Sequence, residues 1–202
     1  MPLNEHNYSR ENKNIALEMF PEIAVVRFVR PETKNPLSIV TLEELSTTLD
    51  SLETNPDIKT IIITGSGDTF ASGANLREIA ATTFEKAREF ALRGQNLLQR
   101  IYQSDKLCVA AVNGFCMGGA LDLALACKRR VASPAAFFAH PGANLGIMTG
   151  WGGTQMLPRL IGESCALDMF LTAKRVSAIE ALRIGLIDRI ADDALADSIA
   201  NS

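Results

Sequence analysis

Two short apolar runs constrain this chain more than any other feature. Residues 59–64 (KTIIIT) and 107–112 (LCVAAV) are bounded by turn-forming residues and read as buried strands. A third, β-branched run covers 23–29 (IAVVRFV). Between the second and third of these strands in chain order, Phe84, Ala87, Ala91, Leu98 and Ile101 recur at helical intervals and predict a long amphipathic helix. Thr41 followed by Glu44 reads as a capping box opening a helix over 42–52. Residues 31–36, with two prolines, form a loop, and residues 1–20 an irregular arm or edge segment. Gly118-Gly119 open a helix over 120–127, short strands follow at 130–132 and 136–139, and helices cover 150–161, 165–171 and 178–184. Strands alternate with helices throughout, which gives the α/β class.

No repeat or linker interrupts the pattern, so 1–202 is read as a single domain, long enough to bury a full core. The formal net charge of −3 and the lack of a basic stripe argue against a nucleic-acid partner. The one tight cationic run, Lys128-Arg129-Arg130, reads as a solvated helix end. Cys108, Cys116, Cys127 and Cys165 lie in apolar elements without metal-type spacing and read as buried, reduced thiols. The polar N-terminus has no signal-like apolar stretch, and the glycosylation-type triplet at Asn7 is therefore incidental. No apolar run is long enough to span a membrane, so a cytoplasmic location is expected.

Chemistry is suggested by three glycine-bearing stretches that lead into helices, at 70–76 (FASGANL), 113–122 (NGFCMGGALD) and 150–155 (GWGGTQ). Glycines let backbone approach a ligand, and N–H groups at a helix start attract negative charge. Phosphate-loop, dinucleotide and nucleophile-elbow motifs are missing, and His6 and His140 are too few for a histidine metal site. What remains is a pair of backbone N–H donors with one carboxylate, Asp122, a helical turn beyond Gly119. Taken singly, each stretch reads first as tight helix–strand packing, and Asp122 as a carboxylate complementing a helix dipole.

Together these residues resemble the crotonase superfamily, the enoyl-CoA hydratases and isomerases. RPETKNPL resembles its R-P-x-x-x-N-A-L, FASGANL its F-x-A-G-A-D-L, and VAAVNGFCMGGALDLALAC the start of its glycine-rich helix. GWGGTQMLPRLIG and LTAKRVSAIEALRIGLIDRI match two further segments in order. The resemblance implies a ββα spiral, with two roughly perpendicular sheets surrounded by helices. It implies an acyl-CoA thioester substrate whose enolate is stabilised in an oxyanion hole, and no metal or cofactor beyond the coenzyme A of that substrate. The two oxyanion N–H groups fall on Ala74 and Gly119, and the first catalytic carboxylate on Asp122. Lys34, Pro36, Ser72, Ala74, Asn75, Leu76, Gly118, Pro141 and Gly142 fall where the family holds its substrate.

Departures accompany the matches. Asp122 is one methylene shorter than the family's glutamate, and Gly142 stands where the second glutamate belongs. A glycine side chain moves no proton, so His140, or a water, is the candidate for the second proton step; the simpler reading is an imidazole bonded to backbone. Gly150 excludes the nucleophilic aspartate of the dehalogenases. Thr149 replaces a proline, Asn75 an aspartate and Trp151 a small residue, with Trp151 read as packing or as filling the acyl pocket. Family members continue through further helices that close the pocket and take part in trimer contacts, so a homo-oligomer (trimer or dimer of trimers) is expected. Two functions follow: a lyase or isomerase of the hydratase type, or a catalytically weak acyl-CoA-binding or assembly protein.

Overall fold

The computed structural model describes residues 14–201. The triplet at Asn7 lies outside the described residues, as does His6. A six-stranded sheet carries the fold. Its strands are β1 (Ile15–Phe20), β2 (Ile23–Phe28), β4 (Thr60–Thr64), β7 (Leu107–Val112), β9 (Arg129–Ala132) and β12 (Arg189–Ile190), in that spatial order. Only β1 and β2 pair antiparallel; the other neighbours are parallel. The segment at 15–20 is thus an edge strand rather than an irregular arm.

A second sheet has the order β11 (Val176–Ser177), β10 (Phe137–Ala139), β8 (Phe115–Met117) and β5 (Thr69–Ala71), and a two-stranded parallel ladder joins β3 (Pro36–Leu37) to β6 (Gly73–Ala74). The helices are α1 (Ile39–Glu53), α2 (Leu76–Ala81), α3 (Phe84–Gln103), α4 (Gly119–Ala126), α5 (Gly153–Ile161), α6 (Glu163–Thr172), α7 (Ala178–Arg183) and α8 (Ala194–Ala200).

The continuous apolar runs have a physical reason. Ile61 and Ile63 of β4 face the main core with Leu45, Leu49 and Ile101, whereas Ile62 faces a smaller cluster with Val25, Val109 and Val131. A parallel strand buried on both faces needs apolar residues at every position. Helix α8 covers the second face through Ala194, with Leu195 and Ile199 packed beside it.

Several expectations are corrected. The cap of α1 lies three residues before the expected one: Ser38 Oγ accepts the Thr41 N–H at 3.1 Å, and Glu44 binds Asn14 instead of closing a box. Phe84 opens α3 but is 92% exposed, because the buried stripe runs through Gly94, Leu97, Leu98 and Ile101. Arg130 is no solvated helix end. It lies in β9, 6% exposed, and donates to the carbonyls of Leu186 (2.9 Å) and Cys127 (2.6 Å), with Asp188 alongside at 3.6 Å. Cys108, Cys116 and Cys127 are buried thiols as expected, while Cys165 is partly exposed.

Candidate active site

The site grows from the point where two chain reversals meet. The loop before β3 is held by Asn35, a buried residue in the left-handed region at φ 47°. Its Oδ1 accepts the Arg30 N–H at 2.7 Å, and its Nδ2 donates to the carbonyls of Thr69 (3.0 Å) and Phe70 (3.1 Å). This side chain ties the loop to β5, just ahead of β6. On the other side, β8 is followed by Gly118, whose φ of 56° turns the chain sharply into α4.

These reversals bring the two expected donors together. A Cβ on Gly119 would lie 3.4 Å from the Ala74 nitrogen, and one on Gly73 would lie 2.8 Å from the Gly119 nitrogen. Gly119 is the first residue of α4, so its N–H has no partner within the helix. Next to both residues lies a cavity of about 350 Å³, within the size range of small-molecule sites. Of the residues that the resemblance assigns to substrate, Ser72, Ala74, Leu76, Gly118, Pro141 and Gly142 line it, and so does Gly119.

Three other residues that the resemblance assigns to substrate stand outside the cavity wall. Lys34 is exposed and pairs with Asp68 at 3.1 Å, and Pro36 sits in the β3–β6 ladder. Asn75 caps α2, its side chain accepting the Arg77 N–H at 3.0 Å. None of the three lines the cavity.

Asp122 is fully buried, one layer behind the cavity wall. Its Oδ2 accepts from the Thr149 hydroxyl, and its Oδ1 lies so close to the Gly153 Cα that a Cβ there would sit 2.0 Å away. Burial pushes its carboxyl up to about 7, against the opposing pull of the Thr149 hydroxyl and the backbone N–H groups of Gly153 and Trp151. His140, 4% exposed, stands 3.5 Å from Asp122 through Nε2 and packs its ring on Phe170. Burial lowers its imidazole to about 4. Unlike Asp122, His140 lines the cavity, where it is the sole ionisable side chain among the described residues.

Sequence reasoning gave Thr149 only as a departure from proline, and missed Asn35 as the anchor of the loop. It also missed Ile79, Phe90 and Phe170 in the cavity wall. Thr149 had a signal, a hydroxyl in a glycine-rich stretch, but its partner is 27 residues away. Trp151 both packs and lines the cavity: it is 4% exposed, with its ring 5.8 Å from that of Phe90.

Comparison with known proteins decides the family. A model described as enoyl-CoA hydratase/isomerase matches residues 19–200. The chain belongs to this enoyl-CoA hydratase/isomerase family. It is 37% identical over 183 residues to a short-chain-enoyl-CoA hydratase of Clostridium acetobutylicum, covering 90% of this chain and 70% of that one. A crotonyl-CoA hydratase of Syntrophomonas wolfei is 40% identical over 179 residues, covering 88% and 69%. Among solved structures, an enoyl-CoA hydratase from Bacillus anthracis superposes with a TM-score of 0.87 at 33% identity, covering 93% of this chain and 74% of that chain. Pseudomonas aeruginosa DspI superposes with a TM-score of 0.90, also at 33% identity, covering 96% and 74%. The fold is therefore the crotonase-type α/β fold shared by enoyl-CoA hydratases. Among the described residues of this family member, no helix is long and apolar enough to cross a membrane.

Proposed function

We propose that the chain processes an acyl-CoA thioester through an enolate, with the thioester oxygen held between the backbone N–H groups of Ala74 and Gly119. The observation that carries this reading is the convergence of those two residues beside a cavity whose sole ionisable side chain among the described residues is His140. As the α-proton leaves, charge moves onto the thioester oxygen. A donor fixed in place strengthens at that moment, and each is typically worth ~3–4 kcal/mol in the transition state.

Asp122 is the proton acceptor, working through His140. A ring nitrogen of His140 takes the α-proton while the Nε2 proton passes to the Asp122 carboxylate. The step ends with a neutral carboxylic acid, a neutral imidazole and an enolate on the backbone donors. Thr149 and Gly153 set the position of the carboxylate. Isomerisation of a β,γ-unsaturated thioester reaches the enolate by this loss of the α-proton, and hydration of an α,β-unsaturated one reaches it by addition of water to the β-carbon; the two reactions share the stabilised oxygen.

Ser72, Leu76, Gly118, Pro141 and Gly142 form the wall against the thioester, with Lys34, Pro36 and Asn75 at the approach for the coenzyme A portion. Exposed leucines on α6, Leu167 and Leu171, support a homo-oligomer in which a second copy covers that face.

The test is α-proton exchange. The protein is incubated with a saturated four-carbon acyl-CoA in heavy water, and deuterium uptake is followed by mass spectrometry. Uptake that falls by about 10²-fold or more in both His140→Gln and Asp122→Asn supports the reading. Tight acyl-CoA binding with no uptake would overturn it in favour of a binding protein.

A further inference from the structure

A second cavity, of about 680 Å³, lies beyond the first and includes Gln95, Leu98, Leu125, Cys127 and Met156 in its lining. Trp151 is the one described residue that lines both. Two helices run from one cavity to the other. On α3, Ala87, Phe90 and Ala91 face the first, and Gln95 and Leu98 face the second. On α4, Gly119 borders the first at the helix start, and Leu125 borders the second near its end.

The indole is wedged between these helices at the boundary. A Cβ on Gly94 of α3 would meet its five-membered ring at 2.3 Å, and one on Gly119 of α4 would meet its six-membered ring at 2.5 Å. The seat therefore needs a glycine on each side. Phe90 lies against the ring on the side of the first cavity.

We infer that Trp151 is the specificity-determining wall of the acyl site: it ends the pocket beside the oxyanion donors and restricts the chain to short or compact acyl-CoA thioesters. The inference rests on the acyl-CoA reading above. With the indole in place the acyl group is confined to the first cavity. With it removed, the passage between α3 and α4 opens into the second, whose lining includes the apolar Leu98, Leu125 and Met156 alongside polar side chains such as Gln99 and Arg159. A carbon chain gains burial by extending there, because each methylene removed from water is favourable.

The experiment compares saturated acyl-CoAs of four, eight and twelve carbons in the heavy-water exchange assay. Each is also measured for binding by calorimetry, with the wild-type chain, Trp151→Ala and Trp151→Phe. Thermal unfolding of each variant checks that it is folded. The quantity read is the ratio of eight-carbon to four-carbon kcat/KM. Hydrophobic pockets discriminate single methylenes by about 10- to 200-fold, so the wild-type ratio is expected at or below about one-tenth. Trp151→Ala is expected to raise it at least tenfold, and Trp151→Phe, which keeps an aromatic contact with Phe90, to raise it less. Equal ratios in wild type and both variants would overturn the inference while leaving the acyl-CoA reading intact. If wild type neither exchanges nor binds any of the three chains, the acyl-CoA reading itself fails, and this inference with it. Should Trp151→Ala be unfolded, the direction of the Trp151→Phe ratio decides.

Discussion

Asp122 Oδ1 and His140 Nε2 lie 3.5 Å apart, and among the described residues neither atom has a hydrogen-bond partner. Burial acts on both groups in favour of their uncharged forms, raising the carboxyl to about 7 and lowering the imidazole to about 4. Between those values both are neutral. Above about 7 the carboxylate alone carries charge, with the His140 ring 3.5 Å from its Oδ1 and the Thr149 hydroxyl on its Oδ2.

That order of ionisation sets the pH dependence of the reaction. Asp122 accepts a proton only when ionised, and His140 is already neutral well below that point. The α-exchange rate is expected to rise through about pH 7 and level off above it. In Asp122→Asn the residual rate should lose this inflection. A wild-type profile that is flat from pH 5 to 9 would remove Asp122 from the proton path.

Stability should run the other way. The folded-state carboxyl is raised from 3.8 to about 7, so the folded chain holds the proton more tightly than the unfolded one. This group's contribution is fully present below about pH 4 and is lost as pH rises through about 7. The loss amounts to roughly 4 kcal/mol at most. Asparagine avoids the charge and can still accept from Thr149. Urea unfolding is expected to show Asp122→Asn more stable than wild type at pH 8, with the advantage shrinking towards pH 5. An advantage that grows on acidification would reverse the sign of this argument.

Asn35 carries a different burden. Replacing it by alanine removes three hydrogen bonds and leaves two buried carbonyls, those of Thr69 and Phe70, without their donor. The expected cost is about 3 kcal/mol. Asn35→Asp keeps the acceptor for Arg30 but points a carboxylate at two carbonyls, and should cost at least as much. Because this loop anchors β5 ahead of Ala74, exchange activity should fall even where the variant remains folded. Denaturant titration and the exchange assay on the same preparations check both parts.

The cysteines offer a chemical check on burial. Desolvation raises the thiols of Cys108, Cys116 and Cys127, which keeps them un-ionised as well as covered. Cys165 is partly exposed on α6. A maleimide reagent at pH 7.5 is expected to label Cys165 alone in the native protein, and all four after unfolding. Peptide mapping would show a different pattern if β8, which carries Cys116, or the end of α4, capped by Cys127, were loosely packed.

Much of the fold was legible because its central strands advertise themselves. The run at 107–112 coincides with β7, and the one at 59–64 differs from β4 by a single residue. Strands β5, β6, β8, β11 and β12 have only two or three residues each, too few for a period to show. They exist because neighbouring backbone supplies their partners. The cap of α1 was misplaced for a related reason. Ser38 and Thr41 are both good capping residues, and the choice depends on Pro36, whose carbonyl accepts from the Thr41 hydroxyl at 3.2 Å. Arg130 looked solvated because nothing nearby in the chain announces that the Leu186 carbonyl will come to meet it. At the candidate site, Ala74, Gly119 and Asp122 are singled out through the resemblance of their motifs to the family, since spacing alone reads first as helix–strand packing. The depth of Asp122, its tie to Thr149 and the exposure of Lys34 were not, since all three depend on segments distant in sequence.

The seating of Trp151 between Gly94 and Gly119 also restricts the order in which this protein can change. While the indole is present, a side chain added at either glycine collides with it. Once the indole has been replaced by something small, that obstacle disappears, and an alanine at Gly94 could fill part of the space left behind. The same substitution is therefore harmful in one background and tolerable in the other, which is sign epistasis with a steric origin. A laboratory lineage selected for bulkier substrates would have to alter position 151 first, and a library that varies the glycines alone would return few folded members.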